Sequence, residues 1–171
     1  MVTIITGDRG IGKTTFLQKK KDYLSSENKL VTGILTPASY DTMGNKNGFY
    51  ALNLGNDEKW ELARSDKNLG GPSYGPFLFS SHGLDKANNI LINNLKKNMG
   101  IVFLDEIGPL ELQNKQGFYP CFPYIRKIKK QLDIYVVVRP ELVNNFIELL
   151  LPGTKGYNLI TVTEKNRNSF F

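Results

Sequence analysis

Cysteine, histidine and tryptophan each occur once in this chain of 171 residues. With Cys121 alone, no internal disulfide can form and a cysteine metal cage is excluded. His82 has no companions at metal-ligand spacing, so a loop or partly buried role is expected. No apolar run approaches the roughly 20 residues a membrane helix needs. The segment Met1–Thr6 lacks the charged n-region and the length of a secretory signal. A cytoplasmic setting is expected on these grounds. Hydrophobic residues at 40% and charged residues at 22% make a chain able to bury a core, not a disordered one. Its length suits one domain spanning residues 1–171.

The net charge of +6 comes mostly from short lysine-rich runs. These are Lys19-Lys20-Lys21, Lys96-Lys97, Arg126-Lys127 and Lys129-Lys130. Such runs read first as solvated helix faces, and second as a surface attractive to polyanions. No nucleic-acid-binding motif accompanies them, so a nucleic-acid partner has no support beyond charge. Oligomeric state leaves no trace in the sequence.

Short β-type runs alternate with helical patterns along the chain, the mark of a parallel sheet flanked by helices. Strands are expected at Val2–Thr6, Leu30–Leu35, Ile101–Leu104, Ile134–Val138 and Leu159–Val162. A first helix should run from Lys13 to about Ser25, with Phe16, Leu17, Tyr23 and Leu24 on one face. Leu84, Ala87, Leu91 and Leu95 mark a second helix, and Leu142 to Leu150 a third. Gly44–Gly48 reads as a hairpin turn, with Phe49–Leu54 and Trp60–Ala63 as small antiparallel strands. Asn68–Ser73 reads as an exposed turn. Tyr74, Phe77 and Phe79 are expected in the core.

Gly7-Asp8-Arg9-Gly10-Ile11-Gly12-Lys13-Thr14 matches G-x-x-x-x-G-K-[ST], the Walker A pattern. Glycines let the backbone curl until successive N–H groups converge on phosphate oxygens, at the end of a helix whose dipole favours an anion. Lys13 should reach the β- and γ-phosphates, and the Thr14 hydroxyl should ligate Mg²⁺. Thr15 should start the helix. The fold class that follows is α/β, a P-loop nucleotide-binding protein with a mostly parallel central sheet and a small antiparallel hairpin insertion.

The run Ile101-Val102-Phe103-Leu104-Asp105-Glu106 is an apolar strand delivering two carboxylates, a Walker B arrangement. Asp105 is the expected second anchor for Mg²⁺. Glu106 is placed to polarise a water attacking the γ-phosphate. Arg139 follows the strand Ile134–Val138, at the carboxyl edge where ligands bind in parallel sheets, and could bring positive charge to the γ-phosphate. Arg9, inside the phosphate loop, could approach the same group. Asn166 and Arg167 follow the last strand, where a loop can contact the base.

Asp105-Glu106-Ile107-Gly108-Pro109-Leu110-Glu111-Leu112 resembles the D-E-I-G-P-[ML]-E-L signature of THEP-type nucleoside-triphosphatases. Gly33-Ile34-Leu35-Thr36 with Gly48-Phe49 is similar to that family's G-x-x-T…G-F segment. Val162-Thr163-Glu164-Lys165-Asn166-Arg167-Asn168 is similar to its V-T-x-E-N-R-[ND] ending, with a shift of one residue at the glutamate. The resemblance implies a RecA-like P-loop fold and Mg²⁺-dependent, unselective hydrolysis of ATP, GTP and other nucleoside triphosphates. It also draws attention to Glu111, either ordering the catalytic water or making a local structural contact. Where many relatives carry Glu and Arg after the threonine, this chain has Pro37, Ala38, Ser39 and Tyr40. A contact made there is absent or supplied elsewhere, with Lys46 a candidate.

Two other functions share the phosphate loop. A nucleoside or small-molecule kinase would need a lid of arginines, but Arg9, Arg64, Arg126, Arg139 and Arg167 are scattered. A nucleotide-dependent switch or RNA-associated module would use the basic surface instead.

Overall fold

The computed structural model describes residues 1–128, 132–153 and 156–168. Lys129-Lys130, one of the basic runs, lies outside the described residues. Ten strands join one sheet: β1 (Val2–Thr6), β2 (Val31–Leu35), β3 (Ala38–Tyr40), β4 (Lys46–Asn53), β5 (Lys59–Arg64), β6 (Gly70–Tyr74), β7 (Phe77–Ser80), β8 (Gly100–Ile107), β9 (Leu132–Val138) and β10 (Tyr157–Thr161). Their order is β10-β1-β9-β8-β2-β4-β5-β7-β6, with β3 against β4. Pairing is parallel from β10 to β2 and antiparallel from β2 onward.

The inner parallel strands β1, β9, β8 and β2 are largely buried on both faces, as continuous apolar strands require, while the edge strand β10 is mostly exposed. Alternation sends Ile4, Val102, Leu104, Ile134, Val136 and Val138 to one face. That face is covered by helix α2 (Ser81–Lys97), the short helix α4 (Phe122–Ile125) and α5 (Val143–Leu150). Ile5, Phe103 and Val137 point the other way, onto Phe16 and Leu17 of helix α1 (Lys13–Ser26). Gly33 allows the close approach of β2 and β8, since its φ is +114° and a Cβ there would lie 2.1 Å from the Phe103 carbonyl oxygen.

The antiparallel half is larger than the hairpin expected. Asn68–Ser73 is not a plain exposed turn, because Gly70–Tyr74 pairs with β7 as the last strand of the sheet. An outer strand can hold Pro72 and a register shift without breaking the ladder inside. The hairpin expected at Gly44–Gly48 turns earlier, where Asp41 Oδ1 accepts the backbone N–H of Met43 and Asn45. In α1 the buried face differs by one position. Tyr23 is 44% exposed while Lys20 is buried, its stem covering apolar surface and its ammonium 5.3 Å from the Tyr23 ring. The Lys19-Lys20-Lys21 run is therefore not a uniformly solvated face. Phe77 is buried, Phe79 packs against the core and Tyr74 is half-buried, as expected for most of that trio.

Candidate active site

Because β1, β2, β8, β9 and β10 run the same way, their carboxyl ends share one edge of the sheet. That edge gathers Gly7–Thr14 after β1, Thr36 after β2, Asp105 and Glu106 near the end of β8, Arg139 after β9, and Val162–Asn168 after β10. Strand β9 lies between β1 and β8, so Arg139 emerges between the phosphate loop and the carboxylates.

The loop closes on itself through an Ile11 N–H donated to the Asp8 carbonyl at 3.3 Å, and Gly12, at φ 101°, caps the start of α1. Such a left-handed turn favours glycine. Lys13 is buried and folds back over the loop, donating from Nζ to the carbonyls of Gly7 at 2.7 Å and Asp8 at 2.9 Å. Gly10 and Arg9 are exposed, Ile11 and Thr14 partly buried. Thr15 is exposed on the first turn of α1, which begins two residues earlier at Lys13.

Asp105 and Glu106 are neighbours whose side chains serve one site. Register between β8 and β9 shifts from Leu104↔Val136 to Ile107↔Val138, placing an extra residue on β8 at the carboxylates. A bulge of this kind re-aims side chains that would otherwise alternate. Asp105 is 1% exposed, and its Oδ2 accepts the Thr36 backbone N–H at 3.1 Å. Its Oδ1 is buried without a hydrogen-bond partner among the described residues, as is Thr6 Oγ1. Burial, reinforced by the Glu106 charge, pushes the Asp105 pKa up to about 6, while Thr36 and the Thr14 hydroxyl pull it back. A buried acid oxygen with an open lone pair beside a threonine hydroxyl is a donor set suited to a hard cation.

Glu106 accepts a hydrogen bond from Arg139 Nε at 2.9 Å, and both side chains are about one-third exposed. The guanidinium also lies over Tyr74 of β6, 5.4 Å from the ring centroid. Burial works against the Arg139 charge, but the Glu106 hydrogen bond and charge outweigh it and raise the pKa. Tyr74 is thus a platform for a site residue, a role its aromatic neighbourhood did not reveal.

Glu111 makes the local structural contact. It is 4% exposed; Oε2 accepts the Gly108 N–H at 2.9 Å and Oε1 the Phe118 N–H at 3.1 Å, closing the short helix α3 (Pro109–Leu112) against the following loop. Asn88 on α2 extends this lock, donating to the Gly117 carbonyl at 2.9 Å and accepting from Cys121 Sγ at 3.3 Å. Burial raises the Cys121 thiol to about 12, which leaves it an inert thiol. Nothing in the sequence had marked Asn88, because a polar residue on a helix face usually meets water.

Desolvation lifts Glu111 to about 7 against the pull of the Gly108 and Phe118 N–H groups. A carboxyl raised in the folded state binds its proton more tightly there than in the unfolded chain. Its contribution to stability is full below about pH 4.5 and lost as pH rises through about 7, on the order of 3 kcal/mol. Urea unfolding should show a fall in stability from pH 5 to pH 8 that is smaller in Glu111→Gln. An unchanged slope would remove Glu111 as its source.

Asn166 holds its own turn, with Oδ1 accepting the Thr163 N–H at 2.7 Å and Nδ2 donating to the Thr161 carbonyl at 2.9 Å. Arg167 is exposed beside it. The turn borders an open pocket of about 630 Å³ lined by Gly7, Asp8, Ile11, Val143, Asn144 and Thr163, among others. Among the described residues no group of three or more His, Cys, Asp and Glu could hold a metal, so a cation here would need help from a ligand such as phosphate.

A family model described as NTPase matches residues 2–171. The chain belongs to this NTPase family. The nucleoside-triphosphatase THEP1 of Pyrococcus abyssi is 28% identical over 167 residues, covering 98% of this chain and 86% of that protein. THEP1 of Methanopyrus kandleri is 32% identical over 111 residues, 65% of this chain and 59% of that protein. The crystal structure of THEP1 from Aquifex aeolicus superimposes with a TM-score of 0.73 at 21% identity, covering 99% and 94% of the two chains, and shares the α/β fold with its mixed sheet. The resemblance read from the D-E-I-G-P block is borne out, and with the family goes an enzyme that hydrolyses nucleoside triphosphates. No helix among the described residues is long and apolar enough to cross a membrane.

Proposed function

We propose that this NTPase hydrolyses a broad range of nucleoside triphosphates to diphosphate and phosphate with Mg²⁺, as a single cytoplasmic domain of residues 1–171. The observation that carries this reading is the pair Asp105-Glu106, one carboxylate buried with an open oxygen near Thr14 and the other about one-third exposed beside Arg139. The backbone of Gly7 to Thr14 would wrap the phosphates, with Lys13 exchanging its two loop carbonyls for phosphate oxygens. Thr14 and Asp105 would hold Mg²⁺. Held by these two side chains, the cation would offset negative charge on the phosphate oxygens. Glu106 would accept a proton from the attacking water, and Arg139 would turn from Glu106 toward the γ-phosphate. Asn166 shapes the turn after β10, and the exposed Arg167 beside it would meet the base.

Two arginines are already committed elsewhere, which weighs against a kinase lid. Arg64 pairs with Glu61 and Asp66, and Arg126 donates to the Leu149 carbonyl. Purified protein with Mg²⁺ and ATP, GTP, CTP or UTP should release phosphate without any added acceptor. Release that waits for a nucleoside or metabolite would make the protein a kinase. Asp105→Asn keeps an oxygen for the Thr36 N–H but removes the charge, so Mg²⁺ affinity should fall by at least about tenfold. Unchanged Mg²⁺ dependence of turnover in that variant would place the cation elsewhere.

A further inference from the structure

The antiparallel half of the sheet carries no part of the phosphate loop or the carboxylate strand, yet it reaches the same edge. Lys46 opens β4, and its Nζ sits 3.9 Å from the Phe49 ring centroid and 5.8 Å from that of Phe77. Both rings belong to this half, and they pack edge to face at 5.0 Å. Two aromatic faces therefore hold the ammonium in place.

Its electrostatic surroundings are those of the active site. The charges that act on Lys46 are Arg9 of the phosphate loop, Glu106 and Asp105 of β8, and Arg139 after β9. Among the described residues no carboxylate lies within ion-pair distance of its Nζ, and the nearby Glu106 is already taken by Arg139. Burial first, then repulsion from Arg9 and Arg139, lowers its pKa despite the two carboxylates. With Lys13, these cations outnumber Asp105 and Glu106. Gathering more cations than counter-ions is unfavourable, and a polyanion at the centre of the cluster relieves it.

We propose that Lys46 is a further catalytic residue of the hydrolysis, an ammonium supplied from the antiparallel half that touches the γ-phosphate. The inference rests on the reading of this edge as a triphosphate site. Lys46 binds the terminal phosphate and neutralises charge on its oxygens as the bond to the β-phosphate oxygen breaks. Arg139 then need not carry that charge alone. The antiparallel strands gain a purpose, since β4 delivers the cation, Phe49 and Phe77 seat it, and Tyr74 of β6 supports Arg139.

The test compares Lys46→Met and Lys46→Arg with the unmodified protein. It reads kcat with Mg-ATP, and the affinities for ADP and for the β,γ-imido analogue of ATP. Lys46→Met should lower kcat about 10²-fold. It should weaken the analogue about tenfold while leaving ADP affinity unchanged. Lys46→Arg should recover most of both. ADP binding also reports that each variant is folded around its phosphate loop. Equal weakening of ADP and the analogue, or an affinity ratio unchanged by Lys46→Met, would overturn the proposal. If the unmodified protein binds nucleotide without releasing phosphate, the hydrolytic reading fails. The affinity ratio still decides whether Lys46 meets the γ-phosphate.

Discussion

Replacing Glu106 by glutamine should lower the rate of phosphate release by about 10²- to 10⁴-fold while leaving nucleotide binding intact. The substitution is informative because of what it keeps. Arg139 Nε donates to Glu106 Oε1 at 2.9 Å, and a glutamine carbonyl can accept that same bond. Shape and the Arg139 contact survive, and only the proton acceptor is lost. Fluorescent-nucleotide titration alongside a phosphate-release assay separates the two effects. Loss of binding together with turnover would mean that Glu106 serves the nucleotide rather than the water. Turnover at the unmodified level would remove it as the base.

Lys13→Ala should be at least as damaging, by a different route. Its ammonium is buried and spans the Gly7 and Asp8 carbonyls, so the loop is curled around a positive charge before any nucleotide arrives. Removing it leaves the phosphates facing carbonyl oxygens. Turnover should drop about 10²- to 10³-fold, and triphosphate affinity should fall as well. In contrast with Glu106→Gln, the same binding titration should therefore show weakening. Full-strength binding by Lys13→Ala would mean that the phosphates do not lie on this loop.

These two residues were legible because their motifs are contiguous. A phosphate loop is one turn between a strand and a helix, and the carboxylates end a single apolar run, so spacing along the chain reports spacing in space. Arg139 was reachable by one more rule, that parallel strands end at a common edge. What sequence could not show depends on pairing across the chain. Gly70-Gly71-Pro72 reads as a turn, and only its place at the rim of the sheet lets it be a strand. Lys20 reads as solvated within a lysine run, but its aliphatic stem covers the face that Tyr23 was expected to fill. Glu111 sits inside the most specific motif of the chain, yet both its oxygens are spent on backbone N–H groups of its own loop. The departure at Pro37–Tyr40 reads as a gap in the pocket, whereas Ala38–Tyr40 pairs with β4 beside Lys46.

In the proposed function, the acidic end of β8 directs water onto the γ-phosphate. Hydrolysis of ATP in ¹⁸O-labelled water, read by mass spectrometry of the products, tests it most directly. The expected result is one labelled oxygen in the released phosphate and none in ADP, formed without an added acceptor and lost in Glu106→Gln. Label in the diphosphate, or labelled phosphate still formed at the full rate by Glu106→Gln, would contradict it.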